Sequence, residues 1–180
     1  MLKLSERLKR LPPYLFVEID KVKRKAMQEG RDIIDLAVGD PDQPTPKHII
    51  EALYQAAQDP SNHHYALDQG MPRLRQAIAN WYKNRFQVEL NPETEILPLI
   101  GSKEGIAHLP LAFLNEGDYS VVPDPCYPPY KGGTILAGGR PFLLPLKEEN
   151  AFLPDLKKIP LNIRKKAKLI YINYPNNPTS

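Results

Sequence analysis

At 180 residues, 42% hydrophobic and 25% charged with a formal net charge of +3, the chain has the make-up of a globular protein with one sizeable core. No apolar run reaches the ~20 residues that span a bilayer, and the opening Met-Leu-Lys-Leu-Ser-Glu-Arg lacks the apolar stretch of a signal peptide, so a cytoplasmic location and no membrane partner are expected. The single cysteine, Cys126, excludes an internal disulfide, and the basic runs at 21–25 and 164–168 are too short and too poor in aromatics for a nucleic-acid groove.

Pro12-Pro13-Tyr14 separates a short charged segment from a predicted helix over Leu15–Gln28, with Phe16, Ile19, Val22 and Ala26 on one face and Gly30 as its stop. The apolar run 33–38 predicts a strand that ends in the turn Gly39-Asp40-Pro41-Asp42. Thr45, with Pro46 at the first helical position, opens a helix closed by Pro60, whose buried stripe would be Ile49, Ile50, Leu53, Tyr54 and Ala57. After a loop from His63 to Gly70, Pro72 opens an amphipathic helix. Leu74, Ala77, Ile78, Trp81 and Tyr82 would face inward, with Arg73, Arg75, Gln76, Asn80 and Lys83 mainly on the other side.

From here strands and helices alternate. Residues 95–100 predict a strand and 103–114 a helix, which Pro110 should kink by removing one hydrogen bond. A turn at 115–118 leads to a strand over 119–122, then a helix over 130–137 that stops at Gly138-Gly139. An edge strand over 141–146, a short helix over 155–159 and a last strand over 168–172 complete the series. This alternation predicts an α/β domain with a mostly parallel sheet flanked by helices. The 20 prolines favour many short elements with defined turns, and there is no repeat and no glycine-serine linker.

Ligands of open α/β sheets lie at the carboxyl ends of the strands, and three predicted strand ends carry chemistry. Gly101-Ser102-Lys103 hands a strand over to a helix, where first-turn N–H groups and a hydroxyl make an anion site, or where Ser102 is simply a helix cap. It is not a Walker loop, and no Gly-x-Gly-x-x-Gly follows a strand. In Asp124-Pro125-Cys126-Tyr127-Pro128-Pro129-Tyr130, Tyr127 can stack on a flat ligand or serve as a hydrophobic staple. The tail Tyr171-Ile-Asn-Tyr-Pro-Asn-Asn-Pro-Thr-Ser180 offers Asn176 and Asn177, amides that can bond a ring oxygen or form an ordinary Asx turn. Together the three suit a planar, phosphorylated ring.

Five marks run along the whole chain: Val38-Gly39-Asp40-Pro41-Asp42; Tyr65 with Gly70 and Leu74-Arg75-x-Ala77-Ile78; Gly101-Ser102-Lys103-Glu104-Gly105; Asp124-Pro125-x-Tyr127-Pro128; and Tyr174-Pro175-x-Asn177-Pro178-Thr179. In this order they resemble the N-terminal part of class I/II aminotransferases, fold-type-I enzymes that use pyridoxal 5′-phosphate. Through Leu11-Pro12-Pro13-Tyr14-Leu15-Phe16 and Gly101 to Ile106 the chain is most similar to the branch acting on LL-diaminopimelate.

The resemblance implies a fold-type-I architecture, with residues 1–45 as N-terminal arm and small-domain segment and 46–180 as an incomplete cofactor-binding large domain. It implies Ser102 and Lys103 at the cofactor phosphate, Tyr127 stacked on the pyridine ring and Asn177 bonded to its phenolic oxygen. Tyr65 would reach the cofactor phosphate of the neighbouring subunit in a homodimer. Gly39 would give backbone contact to the substrate carboxylate, with Tyr14 near the substrate. Asp68 would point toward the distal ammonium, or stand as a solvated loop carboxylate; it is one methylene shorter than the glutamate expected there.

The implied activity is two-stage amino transfer from LL-diaminopimelate to 2-oxoglutarate, in lysine biosynthesis. In the family the lysine that holds the cofactor, the aspartate at the ring nitrogen and the arginines that clamp the substrate carboxylate come later than the last residue here. No catalytic residue and no metal ligand is therefore assigned, and the chain is expected to be an N-terminal fragment, marginally stable and inactive alone. Another amino-acid specificity (aspartate, alanine or aromatic), a carbon–sulfur lyase and a non-catalytic binding module are the alternatives.

Overall fold

The structure is a computed structural model that describes residues 3–36, 39, 41–67 and 69–179. Among these, in chain order, lie helices α1 (Glu6–Lys9), α2 (Leu15–Gln28), α3 (Lys47–Gln58), α4 (Pro72–Phe86) and α5 (Ser102–Phe113), strand β1 (Tyr119–Asp124), α6 (Pro128–Leu136), β2 (Arg140–Pro145), α7 (Leu161–Arg164) and β3 (Ala167–Ile170). Single 3-10 turns occupy Pro60–Asn62, Glu148–Asn150 and Leu156–Lys158, the last where a short helix over 155–159 is expected. The chain forms two compact units, one of residues up to Pro13 with those from Leu99 onward, the other Tyr14–Pro98.

The first unit is built on a three-stranded sheet in the order β2-β1-β3. Both pairings are parallel, with Val121 opposite Phe142 on one side and Ile170 on the other. Parallel strands need a crossover, and α6 supplies it between β1 and β2. β1 is central and buried from Ser120 to Pro123, as a strand covered on both faces must be. Val121, Leu144, Ile159 and Ile163 form the core, with Tyr119, Phe142 and Ala167 packed against it.

α5 lies against α6, and the closest approach is at Gly133, where a Cβ would stand 2.7 Å from the Ala107 carbonyl oxygen. α6 ends as predicted, with Gly138 N–H donating to Ile135 O and Gly139 N–H to Thr134 O, a Schellman arrangement. The charged N-terminal segment is a helix, α1, capped by the Ser5 hydroxyl. Its Arg7 and Arg10 donate to the Leu136 and Gly139 carbonyls, placing cations at the carboxyl end of α6.

In the second unit α2 matches the predicted bounds, and Lys23 ties it to the following segment through Asp35 at 2.9 Å. Ile33, Ile34 and Leu36 line a shallow apolar groove with Ile19, Val22 and Ala26. The strand expected over 33–38 is not formed at 33–36, and Val38 lies outside the described residues. Nor is there a strand over 95–100, where Leu97 and Ile100 are exposed. An apolar run becomes a strand only where a neighbour takes its N–H and C=O groups, and the ladders here are those of β1, β2 and β3.

Pro46 caps α3 from just outside rather than standing first within it. The expected stripe on α3 is exposed, Ile49 at 50% and Leu53 at 70%. On α4 the expectation is partly inverted. Trp81 is 54% exposed while Arg75, expected outward, is 3% exposed. Periodicity marks which helix side is apolar; it does not supply the neighbour that covers it.

Candidate functional site

Gly101 is the cap residue of α5 at φ +80°, a left-handed conformation that favours glycine. Ser102 is the first helical residue, and no side chain caps the helix. The simple capping role for Ser102 is thereby removed. Glu104 reaches back to accept from Ile100 N–H at 2.7 Å, a variant of the capping box. The first turn thus presents N–H groups, a hydroxyl and the Lys103 ammonium, a donor set suited to a phosphate. The residues that enter it, 96–100, form no strand, so this candidate anion site is a helix start without the strand end predicted before it.

Tyr127 caps α6 with extended backbone, after the carboxyl end of β1. Its half-buried ring has the Lys103 ammonium above it, 5.7 Å from the centroid. The starts of α5 and α6 therefore bring Lys103 and Tyr127 together. Beyond β3, Asn176 is 4% exposed; its amide donates to Pro125 O at 3.3 Å and to the Thr179 hydroxyl at 2.8 Å. That bond ties the tail to the loop that carries Tyr127. Asn177 is exposed, and its N–H donates to the Asn173 side chain at 3.4 Å, a local turn bond. Asp124-Pro125, Tyr174-Pro175 and Asn177-Pro178 are cis, all three in these two loops.

Two aromatic residues behind Tyr127 escape sequence reasoning. Tyr130 meets it edge-on, centroids 5.8 Å apart at 83°, and Tyr171 stacks on Tyr130 at 4.5 Å and 18°. Burial pushes the pKa of both phenols up, helped at Tyr130 by Cys126 and Tyr127 and at Tyr171 by Tyr130. Burial, then the Asp124 carboxylate, likewise pushes the Cys126 thiol up. At neutral pH Tyr130 and Tyr171 are therefore neutral phenols and Cys126 a neutral thiol.

The remaining candidates belong to the second unit. Tyr14 is 45% exposed at the start of α2, 5.6 Å from the Phe16 ring. Gly39 is exposed, with nothing within 4 Å of the place a Cβ would take. Tyr65 is 95% exposed in its loop. Asp68 lies outside the described residues. Arg75 anchors the end of that loop, donating to Gln69 O at 3.2 Å, Gly70 O at 2.7 Å, Pro92 O at 2.8 Å and the Glu93 carboxylate at 2.9 Å.

Residues 31–180 match the model of a protein family described as aminotransferase class I and II. The chain belongs to that family. It is 59% identical over its whole length to the LL-diaminopimelate aminotransferase of Aquifex aeolicus and 56% identical over 175 residues to that of Halothermothrix orenii. It spans 46% and 45% of those two proteins, in their N-terminal part.

Among solved structures, substrate-bound BacF from Bacillus subtilis superimposes with a TM-score of 0.90 at 42% identity, over 99% of this chain and 46% of that one. A Thermus thermophilus aspartate aminotransferase mutant gives 0.88 at 30% identity, again over 99% and 46%. The fold is accordingly that of fold-type-I aminotransferases, and the chain holds under half of their length, with a parallel sheet flanked by helices.

Proposed function

We propose that this chain is the N-terminal part of a pyridoxal-phosphate-dependent aminotransferase that moves the amino group of LL-diaminopimelate to 2-oxoglutarate, in lysine biosynthesis. The observation that carries the reading is the Lys103 ammonium 5.7 Å from the Tyr127 ring, at the mouth of α5. A cation and helix N–H groups beside an aromatic face fit a ligand that is both a phosphate and a flat ring. When bound, pyridoxal 5′-phosphate supplies the electron-withdrawing ring through which an amino group is exchanged for a carbonyl oxygen.

In this reading Ser102 and Lys103, with the first-turn N–H groups of α5, hold the phosphate, and Tyr127 stacks on the ring. The Asn177 amide donates to the phenolic oxygen. Asn176 fixes that tail through its bond to Pro125 O. Tyr65 serves the phosphate site of a second subunit, so the protein acts as a homodimer. Gly39 and Tyr14 contact the amino-acid substrate, and Asp68 faces its distal ammonium. The division into a small-domain segment, 1–45, and a cofactor domain from 46 belongs to this same reading, as does a cytoplasmic location.

The test is amino transfer by the full-length protein its gene encodes, supplied with pyridoxal 5′-phosphate. Glutamate should appear from 2-oxoglutarate when LL-diaminopimelate is the donor. A second reading, another donor amino acid, is favoured by the short side chain at Asp68 and by the similarity to the Thermus thermophilus aspartate aminotransferase mutant at 30% identity. Turnover with a different donor alone would select it. No turnover with any amino acid would end both.

A further inference from the structure

We propose that Tyr130 is a positioning residue for the cofactor ring, acting through Tyr127 and backed by Tyr171. This rests on the reading that Tyr127 stacks on pyridoxal 5′-phosphate. The three rings form one contiguous ladder, edge-on between Tyr127 and Tyr130 and face-on between Tyr130 and Tyr171.

The ladder is fixed at its inner end. Tyr130 is 7% exposed, its N–H donates to Tyr127 O at 3.1 Å, and its carbonyl accepts from the fully buried Thr134 hydroxyl at 2.8 Å. Tyr171 N–H donates to Val121 O at 3.0 Å, which pins the far ring to the central strand. Tyr127 is only half-buried, and its ring would turn about its own side-chain bonds without the edge of Tyr130 against it. A ring that stacks on a ligand works only when its plane is set. An edge-to-face pair of this kind is worth about two- to tenfold in an equilibrium. The sequence hides the arrangement because Tyr130 and Tyr171 are 41 residues apart and meet only when the first turn of α6 comes against the residue that follows β3.

The test measures the pyridoxal 5′-phosphate dissociation constant and the circular dichroism induced in the bound cofactor's absorption band, in the full-length protein. Tyr130→Leu should weaken binding two- to tenfold and diminish the induced band, and Tyr130→Phe, which keeps the ring, should restore both. In a Tyr127→Ala background, Tyr130→Leu should have no further effect, because its influence passes through Tyr127. Equal losses in both backgrounds, or no loss in either, overturn the proposal. Should Tyr130→Leu fail to fold, Tyr171→Leu at the half-buried end of the ladder gives the same comparison, with a smaller loss that also vanishes without Tyr127. A protein that binds no cofactor, or binds it equally well as Tyr127→Ala, overturns the stacking reading itself. Tight Tyr127-dependent binding that ignores both Tyr130 and Tyr171 overturns only the ladder.

Discussion

Gly133 of α6 lies so close to Ala107 of α5 that a Cβ on the glycine would stand 2.7 Å from the alanine carbonyl oxygen and 3.1 Å from its Cα. Both atoms belong to backbone, so nothing can swing aside. The contact sets the spacing of the two helices whose N-terminal ends carry Ser102 and Tyr127. Gly133→Ala should cost about 1–3 kcal/mol, the usual penalty of overpacking, read as a lowered urea midpoint. An unchanged midpoint would show that the two helices slide apart freely.

Arg75 is the buried charge among the described residues of the second unit, with its guanidinium shared among three carbonyls and Glu93. A lysine has the charge but not the fork. Arg75→Lys should destabilise by about 1–3 kcal/mol, since the half-buried carbonyls of Gly70 and Pro92 lose their donors. Glu93→Gln should cost under about 1 kcal/mol, because Glu93 is 63% exposed and the carbonyl bonds survive. Equal losses in the two variants, measured by denaturant unfolding, would contradict this ranking.

Leucines on the two kinds of surface should behave differently. Leu144 is 2% exposed in the core, and Leu144→Ala should cost about 2–5 kcal/mol. Leu53 is 70% exposed on α3, and Leu53→Ala should stay within about 0.5 kcal/mol in this chain. Comparable losses would mean that the α3 stripe is covered in solution.

The same periodicity that identifies α3 therefore misleads about its burial. Helices α2, α4, α5 and α6 are legible because caps, prolines and apolar spacing are local, and the three strands because their runs are bounded by turns. Residues 33–36 and 97–100 have similar apolar runs, but strand formation depends on a neighbour that local sequence does not reveal. Arg75 is read outward for a related reason: a guanidinium is polar on any scale, and only the loop carbonyls of Gln69, Gly70 and Pro92 make its burial favourable. At the candidate site, motif spacing points to Ser102, Lys103 and Tyr127, whereas the residue that ties the tail to them is Asn176, neighbour of the expected Asn177.

Cys126, Tyr130 and Tyr171 all ionise above their ordinary values of 9.0 for the thiol and 10.0 for the phenols, with burial the first cause in each. Unfolding lowers these values, so the unfolded chain gives up protons first as pH rises. Their contribution to stability is full below the ordinary values and is lost as pH climbs through the raised, folded ones. Urea midpoints taken from neutrality upward should be level and then fall beyond pH 9.0. Cys126→Ser should remove the thiol's share of the fall. A midpoint that stays level or rises through pH 10.0 would contradict the assignment.

The proposed convergence of Ser102, Tyr127 and Asn177 on one ligand is tested most directly by following backbone amide resonances of the chain during titration with pyridoxal 5′-phosphate. These three residues should shift together and saturate along a single binding curve, with Lys103 and Tyr130 following. Shifts confined to other regions, or separate curves for the three, would contradict the account.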